Sequence, residues 1–144
     1  MTLTIKVDTV EQQEAAAWRK LTPFIGANQL LCLSQALNGE EGDWFREKLF
    51  EIAHTVADMP KTYDTDGEGD EATVHLHYFT GGMDWYITER DASPEQHQAF
   101  GLAKFFGEMP ELGYISIVDL LENGAELDLH WEPKSIREVC LGAV

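Results

Sequence analysis

Two histidine-containing pairs in this chain have the spacing of ligands on a β-strand. His75 and His77 flank Leu76, and His130 follows Asp128 after one residue. Alternate residues of a strand point to the same face, so each pair would present its side chains together. If the two strands are neighbours, three imidazoles and a carboxylate converge, a set that suits Zn²⁺ and leaves room for a reactive water. The metal-ligand candidates are His75, His77, His130 and Asp128.

A structural role is the commoner explanation for histidines on an amphipathic strand, and we favour it. In that role the rings lie on a polar or half-buried sheet face and form hydrogen bonds with neighbouring side chains. A metal site also requires a ligand number and geometry that spacing alone does not supply. The candidate polar sheet face comprises His75, His77, Tyr86, Thr88 and His130.

The acidic segment 64–71 is similar to a calcium-binding loop, with carboxylates at alternating positions around glycines. Against the EF-hand pattern, Asp64 and Asp66 stand at positions 1 and 3, and Gly69 stands at position 6. The bidentate glutamate required at position 12 is missing, because His75 occupies that place. A flexible acidic turn is therefore favoured over a calcium site. We expect no cofactor, with zinc and calcium left open.

The elements that position these side chains begin with a β-hairpin over residues 73–90. Gly81 and Gly82 tolerate the positive φ angles of a two-residue turn, so they are predicted to close the hairpin. The predicted register sets three pairs opposite one another: Tyr78 and Trp85, Leu76 and Ile87, Val74 and Glu89. Residues directly opposite share a face, so the four large apolar side chains and Val74 are predicted to lie together. Glu89 is expected to reach solvent or a basic residue at the strand end.

Outside the hairpin, the apolar residues recur with a helical period before the acidic loop and mostly with a period of two after it. Helices are predicted over about 9–21, 28–37 and 43–59, the last capped by Asp43. Strands are predicted at 99–106, 112–115 and 126–132. Short helices are predicted after capping boxes that start at Ser116 and Ser135. This order predicts an α+β fold, with N-terminal helices packed on one face of a mostly antiparallel sheet of four to five strands. We expect one domain over 1–144, helical over 1–60 and sheet-rich over 72–140.

The net charge of −16, from 26 acidic and 10 basic residues, limits the partners of this chain. Such a surface repels phosphate backbones and anionic lipid, so we expect no direct nucleic-acid or membrane binding. No base lies between Lys104 and Lys134, where seven acids do. Solubility is the commoner explanation of such acidity. The more specific explanation is that Glu126, Asp128 and Glu132 form a docking face for another protein, which would be basic.

Composition narrows the class and the compartment further. Hydrophobic residues make up 44% of the chain, so a packed core is expected. No apolar run is long enough to span a bilayer, and the first eight residues lack the pattern of a signal peptide. Two isolated cysteines, Cys32 and Cys140, form no metal or disulfide motif and are expected to be buried. A cytoplasmic location is the resulting expectation.

A family resemblance covers the chain from about His77 to Lys134. It rests on the order and spacing of five segments: Tyr78–Phe79, Asp84–Glu89, Ala99–Gly101, Glu111–Ser116 and Leu129–Lys134. In these segments the chain resembles an uncharacterised bacterial family, the domain of unknown function numbered 2958. Members are often carried on plasmids, phages and integrated elements, beside antirestriction and mobilisation genes. The resemblance implies a mobile-element setting and brings no activity with it.

Two functions of different class follow from these patterns. The first is a non-enzymatic, protein-binding accessory factor of a mobile element or phage, in an antirestriction or anti-defence setting. The second is a small metal-dependent hydrolase that uses His75, His77 and His130. We lean towards the first, and away from an enzyme, because the chain has many acids and no complete catalytic signature. A homodimer through the polar sheet face is expected if Phe79 and Tyr86 are both exposed.

Overall fold

The computed structural model of this chain describes residues 9–142. The first eight residues, which the sequence predicts not to be a signal peptide, lie outside the described residues. The elements are α1 (Val10–Leu21), α2 (Ala27–Ala36), α3 (Gly42–Asp58), β1 (Thr73–Val74), β2 (Leu76–Thr80), β3 (Met83–Glu89), β4 (Ala99–Phe105), β5 (Glu111–Ile115), α4 (Ile117–Glu122), β6 (Glu126–Leu127), β7 (Lys134–Ser135) and α5 (Ile136–Gly142). A single 3₁₀ turn, Gly69–Glu71, precedes β1.

The main sheet has five antiparallel strands in the order β5-β4-β3-β2-β6, and β1 pairs with β7 in a separate two-stranded sheet. Together with five helices, this confirms the predicted α+β class. No helix within residues 9–142 is both long enough and apolar enough to cross a membrane.

The central hairpin has the predicted register along β2 and β3. Leu76 lies opposite Ile87 and Tyr78 lies opposite Trp85, and Gly81 and Gly82 both have positive φ at the turn. The prediction for Val74 is wrong, because the β2–β3 ladder ends at Leu76 and Val74 pairs with Lys134 of β7.

The main core lies between the sheet and the helices. The apolar residues of β2 and β3 pack there against α1, α3 and the segment between α1 and α2, with Leu21 and Ile25 fully buried. Tyr78 is also fully buried, and its hydroxyl donates to the carbonyl oxygen of Phe24 at 2.5 Å. This bond satisfies a polar group that would otherwise lose its hydrogen bonds to water on burial.

A smaller core lies on the face of the sheet opposite the N-terminal helices. Ile136 and Val139 of α5 pack there against Leu102 of β4, together with Ala72 and Val74. Leu102 precedes Ala103, which packs on the main core, and successive strand residues point to opposite faces. The sheet is therefore covered by α1–α4 on one face and by α5 on the other.

Local capping signals explain where several helices begin. Thr9 and Gln12 form a capping box at α1, and Ser135 and Glu138 form the predicted one at α5. The prediction that Asp43 caps α3 is wrong. Glu41 holds that position, and the Asp43 carboxylate instead accepts from Arg46 at 2.9 Å.

The predicted strand over 126–132 ends after Leu127, which is a correction with a local cause. The Asp128 carboxylate accepts a hydrogen bond from the backbone N–H of His130 at 2.9 Å, two residues on. This side chain–backbone bond turns the chain away from the extended conformation. Leu129 accordingly packs on the main core, whereas Trp131 packs on the smaller core.

Candidate functional site

The face of the main sheet that carries α5 holds His77 and Tyr86 of the candidate polar sheet face. Directly opposite residues place His77, Tyr86, Leu102 and Leu112 in one row across β2, β3, β4 and β5. Trp131 covers the His77 end of this row, where its ring lies 5.2 Å from the imidazole. We call this surface the α5 face of the sheet.

His77 lies between two aspartates on the α5 face. Its Nε2 is 2.7 Å from an Asp84 oxygen, and its Nδ1 is 3.0 Å from an Asp128 oxygen. An ionised carboxylate can only accept a hydrogen bond, so each ring nitrogen of His77 faces an acceptor oxygen. In this arrangement both nitrogens are engaged by carboxylates and neither points into open space. His77 and Asp128 are thus brought together as a charge cluster.

Tyr86 forms the floor beneath His77. The two rings stack with centroids 4.7 Å apart and an interplanar angle of 8°. Burial, followed by the negative charges of Asp84, Cys140 and Asp128, raises the pKa of the Tyr86 phenol to about 12. The phenol is therefore neutral at physiological pH, and it contributes packing rather than an acid or a nucleophile.

Among the described residues, neither the His75 ring nor the His130 ring contacts His77. His75 lines a groove of about 310 Å³ with the α3 residues Lys48 and Glu51 and with Asp128 of the cluster, and burial lowers the pKa of His75. His130 lies after the turn at Asp128, where its ring is 5.3 Å from that of Trp44. Within residues 9–142, no three His, Cys, Asp or Glu side chains are arranged to hold a metal ion. The convergence of three imidazoles on a metal, the alternative that the sequence disfavoured, is therefore not formed by these residues.

Glu89 is the buried carboxylate of the α5 face. A bulge in β3 between Ile87 and Glu89 alters the simple alternation, and only 3% of Glu89 is exposed. Its Oε1 accepts from the Tyr63 backbone N–H at 3.0 Å. Its Oε2 accepts from the backbone N–H and the hydroxyl of Thr65, both at 2.6 Å. Glu89 thus anchors the acidic loop 61–71 and, within residues 9–142, forms no ion pair with a base, contrary to the prediction.

A cavity of about 320 Å³ opens beside Glu89. One wall is the acidic loop. The other wall is formed by the end of β3, by the parts of β4 and β5 beside it, and by α5. The lining residues with aromatic rings or oxygen-bearing side chains are Tyr63, Thr65, Asp66, Thr88, Glu89, Phe100 and Tyr114. Thr88, from the predicted polar face, is buried here and donates from its hydroxyl to the Phe100 carbonyl oxygen at 3.2 Å.

Sequence reasoning missed the aromatic residues of this cavity, although part of the signal was present. Phe100 lies opposite Tyr114, so the two alternating strands already imply that both share a face. Tyr63 lies in an irregular loop whose position depends on Glu89, and no local pattern indicates it. The acidic segment compared with a calcium loop belongs to this loop as well, and its Asp70 and Glu71 form ion pairs with Arg137 of α5.

The predicted acidic docking face is divided by the turn at His130. Glu126 lies on the short edge strand β6 and Glu132 lies after the turn, and both are exposed. Neither forms an ion pair within the described residues. Asp128 is different, because it is occupied by His77 and by the His130 N–H. The face is thus reduced to two free carboxylates and one engaged carboxylate.

An apolar patch at one end of the main sheet was not anticipated. The β2–β3 and β4–β5 turns meet there, since the Phe106 N–H donates to the Gly82 carbonyl oxygen at 3.1 Å. Phe106 is 92% exposed and Met109 is 84% exposed. Met83 and Phe105, directly opposite each other on β3 and β4, are also exposed. We call these four residues the tip patch.

Comparisons with known proteins give no independent identification. No family model, no curated protein and no solved structure matches the chain. The resemblance of residues 77–134 to the uncharacterised bacterial family therefore stays a prediction.

Proposed function

We propose that this protein is a non-enzymatic binding factor that contacts a basic protein through the tip patch. The observation that carries the proposal is the nearly complete exposure of Phe106 and Met109 at the meeting point of two hairpin turns. Large apolar side chains that stand together in water favour an interaction site, because single exposed residues are common but clustered ones are not.

The charge around the tip patch supports a basic partner. Glu108 and Glu111 flank Met109 in the β4–β5 connection, and both are exposed. Within residues 9–142, none of the seven acids from Glu108 to Glu132 pairs with a base except Asp128, which contacts His77. An apolar centre with a charged rim is the common arrangement of protein interfaces. The rim would steer a positively charged protein towards the patch.

The same charge disfavours a second copy of the chain as the partner. Two chains with a net charge of −16 each would repel one another at close approach. A homodimer through the polar sheet face also requires that Phe79 and Tyr86 are both exposed. Only Phe79 is exposed, because Tyr86 lies beneath His77 and Trp131. A heterologous partner is therefore the better proposal.

The non-enzymatic part of the proposal rests on how the candidate catalytic groups are used. Both nitrogens of His77 contact carboxylates, and within the described residues the rings of His75 and His130, the other imidazoles named for a hydrolase, do not contact His77. The mobile-element setting and the cytoplasmic location belong to the proposal as well. The first rests on the sequence resemblance, and the second rests on the composition of the chain.

The test is a quantitative affinity capture from the native host with paired variants. Phe106→Ser/Met109→Ser removes the exposed apolar groups, and Leu31→Ser/Val10→Ser removes two exposed apolar groups elsewhere. Burying a Phe or Met side chain contributes about 1.5–3 kcal/mol, so the tip variant should weaken partner binding about a hundredfold or more. The control pair should bind like the wild type. Equal capture by both pairs would refute the tip patch as the contact surface.

A further inference from the structure

The cavity beside Glu89 has the walls of an aromatic box. The Tyr63 and Tyr114 rings have centroids 6.4 Å apart and an interplanar angle of 76°. The Phe100 and Tyr114 rings are 5.7 Å apart at 80°. The Tyr114 ring is thus nearly perpendicular to both other rings, all three line the same cavity, and a cation bound there by the rings would lie within about 6 Å of their centroids. That is the range over which a cation is attracted to a ring face.

The charge of the cavity is negative. Glu89 and Asp66 both line it, and among the described residues no lysine or arginine does. The neighbouring base, Arg137, is directed to Asp70 and Glu71, with its shortest contact at 2.7 Å. Oε1 of Glu89 accepts one hydrogen bond in the structure, from Tyr63, and a carboxylate oxygen has room for two. One acceptor position on Glu89 is therefore left for a donor in the cavity.

The backbone of Tyr63 is strained in a way that maintains this box. Tyr63 has a φ of 79°, in the left-handed region that non-glycine residues rarely adopt. Its N–H is fixed by Glu89, and its hydroxyl accepts from the Tyr114 hydroxyl at 3.1 Å. Such strain persists only where surrounding contacts enforce it, and it concentrates at ligand-binding positions. Glu89 and Tyr114 thus hold the Tyr63 ring at the cavity wall.

We infer that this cavity binds an alkylammonium group, primary or methylated, with the cation among the rings of Tyr63, Phe100 and Tyr114. Glu89 and Asp66 supply the opposite charge. The inference does not rest on the proposed function, because the cavity residues and the tip patch residues are different. A volume of about 320 Å³ lies at the lower end of the range for small-molecule sites, which matches an amine of few atoms.

The ring geometry favours a compact ammonium over a guanidinium. A guanidinium is flat, and it is best held between parallel ring faces or by a bidentate carboxylate. Here the rings are nearly perpendicular, and both oxygens of Glu89 already accept hydrogen bonds. A roughly spherical head group fits the corner that such rings form, as in the aromatic cages that recognise quaternary ammonium groups.

The first experiment compares choline with 3,3-dimethylbutan-1-ol, its neutral isostere, by NMR titration of the full chain. Choline should bind about tenfold more tightly, the factor expected for a partly desolvated cation–π contact. The largest shifts should fall on the ring protons of Tyr63, Phe100 and Tyr114. Guanidinium chloride at the same concentration should shift these protons less. Equal affinity for choline and the alcohol, or shifts that map elsewhere, would overturn the inference.

Two variants test the walls without removing the Glu89 anchor. Tyr114→Leu keeps an apolar side chain at an exposed position but removes the ring, and we expect about a tenfold loss of choline affinity. Asp66→Asn removes a charge at an exposed loop position and should weaken choline severalfold without changing affinity for the alcohol. The matched control is Phe79→Leu, an exposed aromatic outside the cavity, which should leave choline binding unchanged. A loss of the same size in the control would also overturn the inference.

A second arm distinguishes a free amine from a side chain of a protein. Free Nε-trimethyl-lysine is compared with a decapeptide that carries one trimethyl-lysine, and with the same peptide carrying unmodified lysine. Binding of the peptides at least tenfold more tightly than the free amino acid would identify a protein-borne ammonium. Equal affinity would identify a small-molecule ligand. Failure of every ammonium probe would refute the cavity as a cation site, while the capture experiment on the tip patch would be unaffected.

Discussion

Replacing Glu89 by glutamine should release the acidic loop, because Glu89 is the residue through which β3 holds that loop. Its carboxylate accepts three hydrogen bonds, one from Tyr63 and two from Thr65. Glutamine has the same shape but only one acceptor oxygen. If that oxygen faces Tyr63, the amide nitrogen faces Thr65, whose backbone N–H then loses its acceptor.

The size of the effect follows from these bonds. A hydrogen bond to a charged group contributes about 1.5–3 kcal/mol, so the two bonds of Oε2 together contribute about 3–6 kcal/mol. Release of the loop lets Tyr63 leave its left-handed conformation, which returns about 1–2 kcal/mol. Glu89→Gln should therefore lower the free energy of unfolding by about 2–4 kcal/mol, a large part of the roughly 5–15 kcal/mol typical of a domain.

Two measurements separate loop release from global destabilisation. Urea unfolding followed by tryptophan fluorescence gives the free energy of unfolding, and amide hydrogen exchange reports the loop itself. The Tyr63 and Thr65 amides should exchange much faster in the variant, and amides of β2 and β3 should change only by the global loss. Glu95→Gln, an exposed acid, is the matched control and should change neither quantity. A loss below about 0.5 kcal/mol with unchanged exchange at Tyr63 and Thr65 would refute the anchoring role.

Three further outcomes are expected. Because burial lowers the pKa of His75, the unfolded chain binds a proton on His75 at a higher pH than the folded chain does. Stability should thus fall as pH drops below about 6.5, the ordinary pKa of histidine, towards the lower pKa of the folded state, and the urea midpoint of His75→Leu should depend less on pH. Tyr78→Phe leaves the Phe24 carbonyl oxygen without its buried donor and should cost about 1–3 kcal/mol in urea unfolding. Gly101→Ala places a Cβ onto the Tyr86 carbonyl oxygen between β3 and β4, so the free energy of unfolding from thermal denaturation should fall by about 3 kcal/mol or more, the upper end of the range typical of overpacking.

The central hairpin was predictable because its signals are local. Gly81 and Gly82 mark the turn, and alternation then fixes which residues of β2 and β3 face each other. The capping boxes at Thr9 and Ser135 are equally local, since each side chain satisfies an amide three residues away. In these segments one short-range interaction decides the conformation.

The candidate site was less predictable because it depends on departures from regular alternation. The β2 ladder stops at Leu76, so Val74 joins the smaller core and His75 lines the groove beside α3. The β3 bulge brings Glu89 to the acidic loop, where it organises Tyr63. Breaks and bulges are set by pairing with distant segments, such as Val74 with Lys134, and periodicity along one strand does not report such pairing.

The central claim, that a basic protein contacts the tip patch, is tested most directly by photocrosslinking in the native host. A benzophenone amino acid replaces Phe106 in one version of the protein and Leu31, an exposed apolar residue of α2, in another. We expect one discrete adduct from position 106, containing a basic protein and reduced by charge reversal at Glu108 and Glu111, and no such adduct from position 31. The absence of an adduct at position 106, or the same adduct from both positions, would contradict the claim.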